Sequence, residues 1–314
     1  MVYDVLVAGG GPAGLTAAIY AARAGLSVLV LGGVPGGQVA TASAVENYPG
    51  FVGIAGPDLA EKLLKHARSA GAKVLLEEAE SFDLDGPVKA VKTAQDTYRS
   101  KTVILAQGSR RRKLNIPGEE QFAGRGVSYC AACDGNFFRG KTVAVVGGGD
   151  TAVSDAIALA GLCRAVYLLH RRDVLRAQYS LVRQAHALPN LKMIFSVSPV
   201  RIEGGQKVER IVLRRAGGSE LTLSVDGVFV AIGVIPNSQR LPPSLPTDGG
   251  YLEAPESGVT PVPGVFVAGD LRRKALYQIV TAVADGANAA DSARRFLDAA
   301  RVWGRRPSLK IKKK

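Results

Sequence analysis

The sequence predicts an α/β fold in which one strand, turn, helix and strand domain is inserted into another, and three observations carry that prediction. An apolar run, the pattern G-x-G-x-x-G and an Ala-rich stretch follow one another at residues 5–22. The same order returns at residues 143–160, with Ala152 at the last motif position. A late apolar run at residues 265–268 then ends in Gly269-Asp270, beyond two Pro-bearing segments, 112–118 and 241–246, that bracket the second copy. Those brackets give a discontinuous domain, 1–114 plus 246–314, interrupted by a second domain, 115–245.

The first copy opens with a strand at residues 5–8. Gly9 allows a tight turn, Gly11 lets backbone N–H groups approach a pyrophosphate, and Gly14 keeps the following helix close to the strand. Pro12 and Ala13 lie in the first helical turn, whose N-terminus adds partial positive charge toward an anion. Residues 27–31 read as the second strand. Residues 102–106 and 228–232 read as buried strands, each running out into glycine, Gly108 and Gly233. The run at 265–268 delivers Asp270 at its carboxyl end, where ligands gather in open α/β sheets, and a helix is expected from about 278 to 298. In the second copy the corresponding residues are Gly147, Gly149, Asp150, Thr151 and Ala152. Two such Rossmann-like turns, both in context, imply two dinucleotides.

The basic stretch that follows the second strand of the inserted unit, His170-Arg171-Arg172-Asp173-Val174-Leu175-Arg176, separates the two cofactors. An NAD site places an acidic residue near this point for the ribose 2′-hydroxyl, whereas arginines suit the 2′-phosphate of NADPH. In the first unit the strand ends Leu31-Gly32-Gly33 with no acid at the ribose position, so one expected FAD contact is missing there. FAD is still the expected occupant, held through other groups around Gly32.

Composition agrees with a folded chain: 47% of residues are hydrophobic and 21% charged, with no apolar run long enough to span a bilayer. Glycine is in excess, 37 of 314 residues. The formal net charge of +13 invites a nucleic-acid reading, but seven of the positive charges lie in residues 301–314 without an acid among them. That tail reads as a solvated appendage, and a binding role on nucleic acid or an anionic surface is the distant alternative. The start, Met1-Val2-Tyr3-Asp4, lacks a basic export signal, and three cysteines are too few for a secreted disulfide scaffold, so a cytoplasmic setting is expected.

Cys130-Ala131-Ala132-Cys133-Asp134 lies just ahead of the second βαβ copy. A CxxC is half a zinc site or a redox dithiol. Zinc would need two further ligands, and His66, His170 and His186 repeat no metal spacing, so no metal is expected. As a dithiol the spacing closes a small ring, and Asp134 is the adjacent group able to exchange a proton. Cys163 reads as a core residue in an apolar helix.

Taken together, these motifs resemble the low-molecular-weight, bacterial-type thioredoxin reductase family over nearly the whole chain. Gly9 to Gly14, Gly36-Gly37-Gln38, Glu46-Asn47-Tyr48-Pro49-Gly50, Cys130 to Gly135, Gly147 to Ala152, His170 to Arg176, and Gly269-Asp270 with Gln278 fall in order. The resemblance implies an electron relay from NADPH through FAD to the Cys130/Cys133 disulfide and on to thioredoxin. It implies that Cys133 faces the flavin, that Cys130 attacks the protein substrate and that Asp134 handles the proton. Gly37, Gln38, Asn47, Gly108, Asp270 and Gln278 would border FAD; Gly149, Asp150, Thr151 and Gly233 would border NADPH, with His170, Arg171, Arg172 and Arg176 at its 2′-phosphate. A homodimer, and rotation of the inserted domain during turnover, are also implied.

Gln107 replaces the family's usual threonine and Tyr277 its usual arginine before Gln278, and the basic tail is unusual. A flavin disulfide reductase of the same fold serving another protein partner or electron donor is the runner-up. The arginine stretch generates a direct expectation. Each charged hydrogen bond contributes about 1.5–3 kcal/mol, so NADPH should exceed NADH in efficiency by roughly two decades or more. Equal kcat/KM for the two reductants would sink the arginine clamp.

Overall fold

The structure, a computed structural model, describes residues 1–42 and 44–304. The basic segment expected at 305–314 lies outside the described residues. The chain forms two compact units, Met1–Arg110 with Pro236–Lys314, and Arg111–Ile235. The crossings therefore come a few residues before each Pro-bearing segment. Burial explains the offset: Leu114 and Ile116 already pack into the inserted unit's core, while Leu241 and Leu245 already pack into that of the discontinuous unit.

The discontinuous unit begins with β1 (Val2–Ala8), α1 (Pro12–Arg23), β2 (Val28–Leu31), α2 (Gly56–Ser69) and β3 (Lys73–Leu75). A meander follows, β4 (Ser81–Asp83), β5 (Lys89–Lys92) and β6 (Thr97–Leu105), and β7 (Ser109–Arg111) leads out of the unit. The sheet order is β3-β2-β1-β6-β5-β4. β1 runs parallel to both β2 and β6, and its inner residues Val5, Leu6, Val7 and Ala8 are fully buried, as a central parallel strand requires. β6 is longer than the apolar run suggested because its polar first half pairs antiparallel with β5.

The inserted unit runs β8 (Val127–Ser128), α3 (Ala131–Asp134), β9 (Thr142–Gly147), α4 (Asp150–Ala160), β10 (Ala165–Leu169), α5 (Tyr179–His186) and β11 (Leu191–Ile194). An antiparallel sheet, β12 (Val197–Gly204), β13 (Val208–Arg215) and β14 (Glu220–Ser224), precedes β15 (Gly227–Ala231) and β16 (Val234–Pro236). Its parallel sheet has the order β11-β10-β9-β15-β8. Back in the discontinuous unit come β17 (Thr247–Asp248), β18 (Tyr251–Leu252), β19 (Val265–Val267), parallel to the end of β6, and α6 (Ile279–Gly304).

Two boundaries differ from the sequence reading. α6 continues past residue 298 because no proline or glycine lies between Asp298 and Gly304. It crosses α1 so closely that a Cβ on Gly286 would sit 2.2 Å from the Ala13 carbonyl oxygen. α4 stops at Ala160 with Gly161 as its cap, so Cys163 sits in the following turn and not in the helix. It is nonetheless buried: its Sγ donates to the Phe138 carbonyl at 3.3 Å, and burial pushes the thiol above its ordinary range. No described helix is long and apolar enough to cross a membrane.

One carboxyl in α4 has a consequence for stability. Burial pushes Asp155 up to about 6, against the opposing pull of Arg111. The folded value thus lies above the unfolded one of about 3.9, so the folded state binds the extra proton. Its stabilising effect is fully present below the unfolded value and is lost as pH rises through about 6. Asp155→Asn should flatten that slope and raise the stability of the inserted unit at pH 7 by about 1–2 kcal/mol. Denaturant melts at pH 4.5, 6 and 7.5 that keep the wild-type pH dependence would contradict this.

Candidate active site

The two glycine turns share their close contacts. A Cβ on Gly9 would lie 2.1 Å from the Ala106 carbonyl oxygen at the end of β6, and one on Gly147 would lie 2.4 Å from the Ala231 carbonyl oxygen at the end of β15. The first glycine is therefore pressed against the neighbouring strand; Gly9 also has φ +128°, a region open chiefly to glycine. The last position packs inward as well: a Cβ on Gly14 would meet the Gly9 carbonyl at 1.9 Å, and the Ala152 methyl fills the corresponding space beside Gly147. The middle glycines differ, since around both Gly11 and Gly149 the space a Cβ would enter is open. Each is the N-cap of its helix, and no side chain caps either one. Each turn thus offers an open concavity with uncapped backbone N–H groups, which fits the pyrophosphate of a dinucleotide.

In the discontinuous unit two of the expected residues, Gly37 and Gly269, stand against the first turn, and others pair with one another. Gly37 stands against Gly11, and the Gln38 amide donates to the Ser109 carbonyl at 2.8 Å. The Asn47 amide donates to Gln278 Oε1 at 3.0 Å, bringing together residues 231 apart in the chain. Asn237 fixes the segment after β6, its N–H donating to the Gly108 carbonyl and its side chain to the Gln107 carbonyl. Gln107 Oε1 is buried without a hydrogen-bond partner in the protein, as expected of a polar atom facing a bound group. Gly269 and Asp270 follow β19 in a 3-10 turn.

In the inserted unit the basic loop is tied to the second turn. The Arg176 N–H donates to the Gly148 carbonyl at 2.7 Å, while the Arg171, Arg172 and Arg176 side chains are exposed beside it. His170 has a different place from its arginine neighbours: it is buried, its ring occupies the space a Gly148 side chain would need, and its Nε2 lacks a partner. Asp150 accepts the Gln178 N–H at 2.8 Å and the Gln178 side-chain amide at 3.2 Å, so it ties the start of α4 to the residue before α5. Gly233 lies against the Arg112 side chain, and its carbonyl accepts the Arg112 N–H.

The two cysteines form a disulfide, Cys130–Cys133, with Cα atoms 5.3 Å apart. Cys130 precedes the single turn α3, and Asp134 ends that turn, half-buried. Asp134 Oδ2 accepts the Ser128 hydroxyl at 2.6 Å. A disulfide and a carboxyl therefore lie at one turn of helix, from its N-cap Cys130 to its last residue Asp134.

The family model for pyridine nucleotide-disulphide oxidoreductases matches residues 3–286. The chain belongs to the pyridine nucleotide-disulphide oxidoreductase family. It is 42% identical to the thioredoxin reductase of Bacillus subtilis over 304 residues, 95% of each chain. A bifunctional thioredoxin reductase/thioredoxin of Mycobacterium leprae is 44% identical over 94% of this chain and 66% of its own length. Among solved structures, the thioredoxin reductase of Streptococcus pyogenes superposes with a TM-score of 0.90 at 39% identity, covering 95% of this chain and 99% of its own. The fold of this family member is mixed α/β with parallel sheets, matching thioredoxin reductase structures with two dinucleotide-binding domains.

The structure of this family member also reveals residues the sequence reading missed. Asp285, in α6, is buried and accepts the Gly269 N–H at 3.0 Å, Arg272 Nη2 at 2.7 Å and Lys274 Nζ at 3.0 Å. Lys274 Nζ also lies 3.7 Å from Asp270 Oδ1. Arg272 and Lys274 could have been suspected as a basic pair after Gly-Asp, but their acid comes 11 or more residues later inside an Ala-rich helix. Removing it would leave the largely buried Arg272 without its carboxylate, leave Lys274 with Asp270 as its carboxylate, and take the acceptor from the Gly269 N–H. Asp285→Ala should cost about 3–5 kcal/mol and release flavin from the purified protein. An unchanged denaturation midpoint with full flavin absorbance would refute the assignment.

Proposed function

We infer that the chain is an NADPH-dependent, FAD-containing thioredoxin reductase whose Cys130–Cys133 disulfide is the redox centre. The observation that carries this reading is the closed CxxC disulfide beside a carboxyl, in the same unit as one dinucleotide cradle and in a chain with a second. When bound, NADPH and FAD supply hydride and electron transfer. The protein's own residues do the rest. The disulfide takes up two electrons and becomes a dithiol. The Cys130 thiolate then attacks one sulfur of an oxidised thioredoxin, and Cys133 displaces the reduced partner by attacking Cys130, restoring the disulfide. Asp134 takes and returns the proton that one thiol gives up.

For binding, Gly9, Gly11, Pro12, Ala13 and Gly14 hold the FAD pyrophosphate, with Gly37, Gln38, Asn47, Gly108, Gly269, Asp270 and Gln278 around the rest of the group. Gly147, Gly149, Asp150, Thr151, Ala152 and Gly233 hold NADPH, and Arg171, Arg172 and Arg176 face its 2′-phosphate. His170 supports that loop from inside, since its ring fills the turn at Gly148. Because the dithiol and the nicotinamide site share one unit and must each reach a single flavin, turnover requires the inserted unit to reorient about its two crossings. A homodimer in a reducing cytoplasm completes the reading, in keeping with a chain of three cysteines whose third thiol is buried.

An anaerobic NADPH titration tests the relay. Uptake should be about four electrons per chain, two for flavin and two for the disulfide couple. The Cys130→Ser/Cys133→Ser double variant should take up about two and lose thioredoxin reduction. Uptake of two by the wild type would disconnect the cysteines from the flavin.

A further inference from the structure

Ser128 ends β8, where it is buried beside Phe229 of β15. Its hydroxyl does two things at once: it donates to Asp134 Oδ2 at 2.6 Å and accepts the Cys130 backbone N–H at 3.1 Å. The Cys130 carbonyl in turn accepts the N–H groups of Cys133, at 3.3 Å, and Asp134, at 3.0 Å. One hydroxyl and one carbonyl thus close a hydrogen-bonded loop through both cysteines and the carboxyl.

A serine hydroxyl has one proton and two lone pairs. At 2.6 Å from an ionised carboxylate it is the donor, in a charge-assisted bond. A second, weaker acceptor is the Cys130 carbonyl oxygen, 3.4 Å from the same Oγ, which would share its lone pairs with the Cys133 and Asp134 N–H groups it already accepts. When Asp134 carries a proton on Oδ2, the hydroxyl can turn its own proton toward that carbonyl and accept from the acid. A purely structural serine would need only its acceptor role toward the Cys130 N–H.

We propose that Ser128 is a positioning residue of the dithiol centre: its hydroxyl holds the Asp134 carboxyl beside the Cys130–Cys133 pair in both protonation states. The proton then moves on and off Asp134 without a side-chain rearrangement and without leaving a buried polar atom unpaired. The proposal rests on the reading of Asp134 as the proton acceptor given above.

The test compares wild type, Ser128→Ala, Ser128→Thr, Asp134→Asn and the Ser128→Ala/Asp134→Asn double variant as FAD-loaded enzymes. Flavin absorbance and electron uptake are checked first. Turnover is then measured with an oxidised thioredoxin, and thiol release in single turnover with a small aromatic disulfide. Ser128→Ala should keep its flavin and electron uptake while kcat falls about tenfold at unchanged KM. Ser128→Thr, which retains the hydroxyl, should stay within about twofold of wild type, and adding Ser128→Ala to Asp134→Asn should cost less than about twofold further.

An unchanged kcat in Ser128→Ala overturns the proposal. So does a well-loaded Ser128→Thr as slow as the alanine variant, or the same fall in the Asp134→Asn background as in wild type. If Ser128→Ala fails to load flavin, Ser128→Cys takes its place, with a weaker donor of similar shape and the same fall expected. A wild type active on the small disulfide but not on thioredoxin would end the substrate reading while leaving the serine comparison readable. An Asp134→Asn equal to wild type on both would end the proton-acceptor reading and this proposal with it.

Discussion

Both dinucleotide cradles depend on one contact, the approach of a glycine Cα to a carbonyl oxygen at the end of the neighbouring parallel strand. Gly9 meets the end of β6 and Gly147 the end of β15, each too closely for any side chain. That approach sets the turn, the turn sets the start of the helix, and the helix start leaves its first N–H groups facing an open concavity. The middle glycine of each motif is the complement. It is small because something must come close from outside the protein, whereas the first is small because the protein itself comes close.

Around the two cradles the buried polar groups are organised by single side chains that serve several partners. Asp285 satisfies one backbone N–H and two cations, and so ties α6 to the Gly269-Asp270 turn. Ser128 performs the same office on a smaller scale for the dithiol. In both cases the hub comes from a different element than the groups it holds, which makes the arrangement rigid: no one element can shift without breaking a buried hydrogen bond.

Much of this was legible in the chain. The two glycine motifs, the CxxC with its aspartate and the arginine loop all lie within short windows, and their spacing carries their meaning. Continuous Val, Leu and Ile runs marked the parallel strands because strands buried on both faces have no polar side to show. The less legible features are those whose signal is long-range. Asn47 and Gln278 gave no hint of pairing, His170 looked like part of a basic loop yet lies inside the turn, and Cys163 looked helical until Gly161 ended the helix early.

The sequence by itself determined the doubled Rossmann-like architecture, the order of insertion and the identity of the redox pair, because each is written in local patterns of glycine, apolar residues and cysteine. Tertiary structure alone decided where the units divide, which acid neutralises Arg272 and Lys274, and which hydroxyl meets Asp134. The physical reason is the range of the forces involved. Backbone conformation and strand burial are fixed by neighbours in sequence, whereas satisfying a buried charge or hydroxyl requires whichever partner the packed sheets and helices bring within hydrogen-bonding distance.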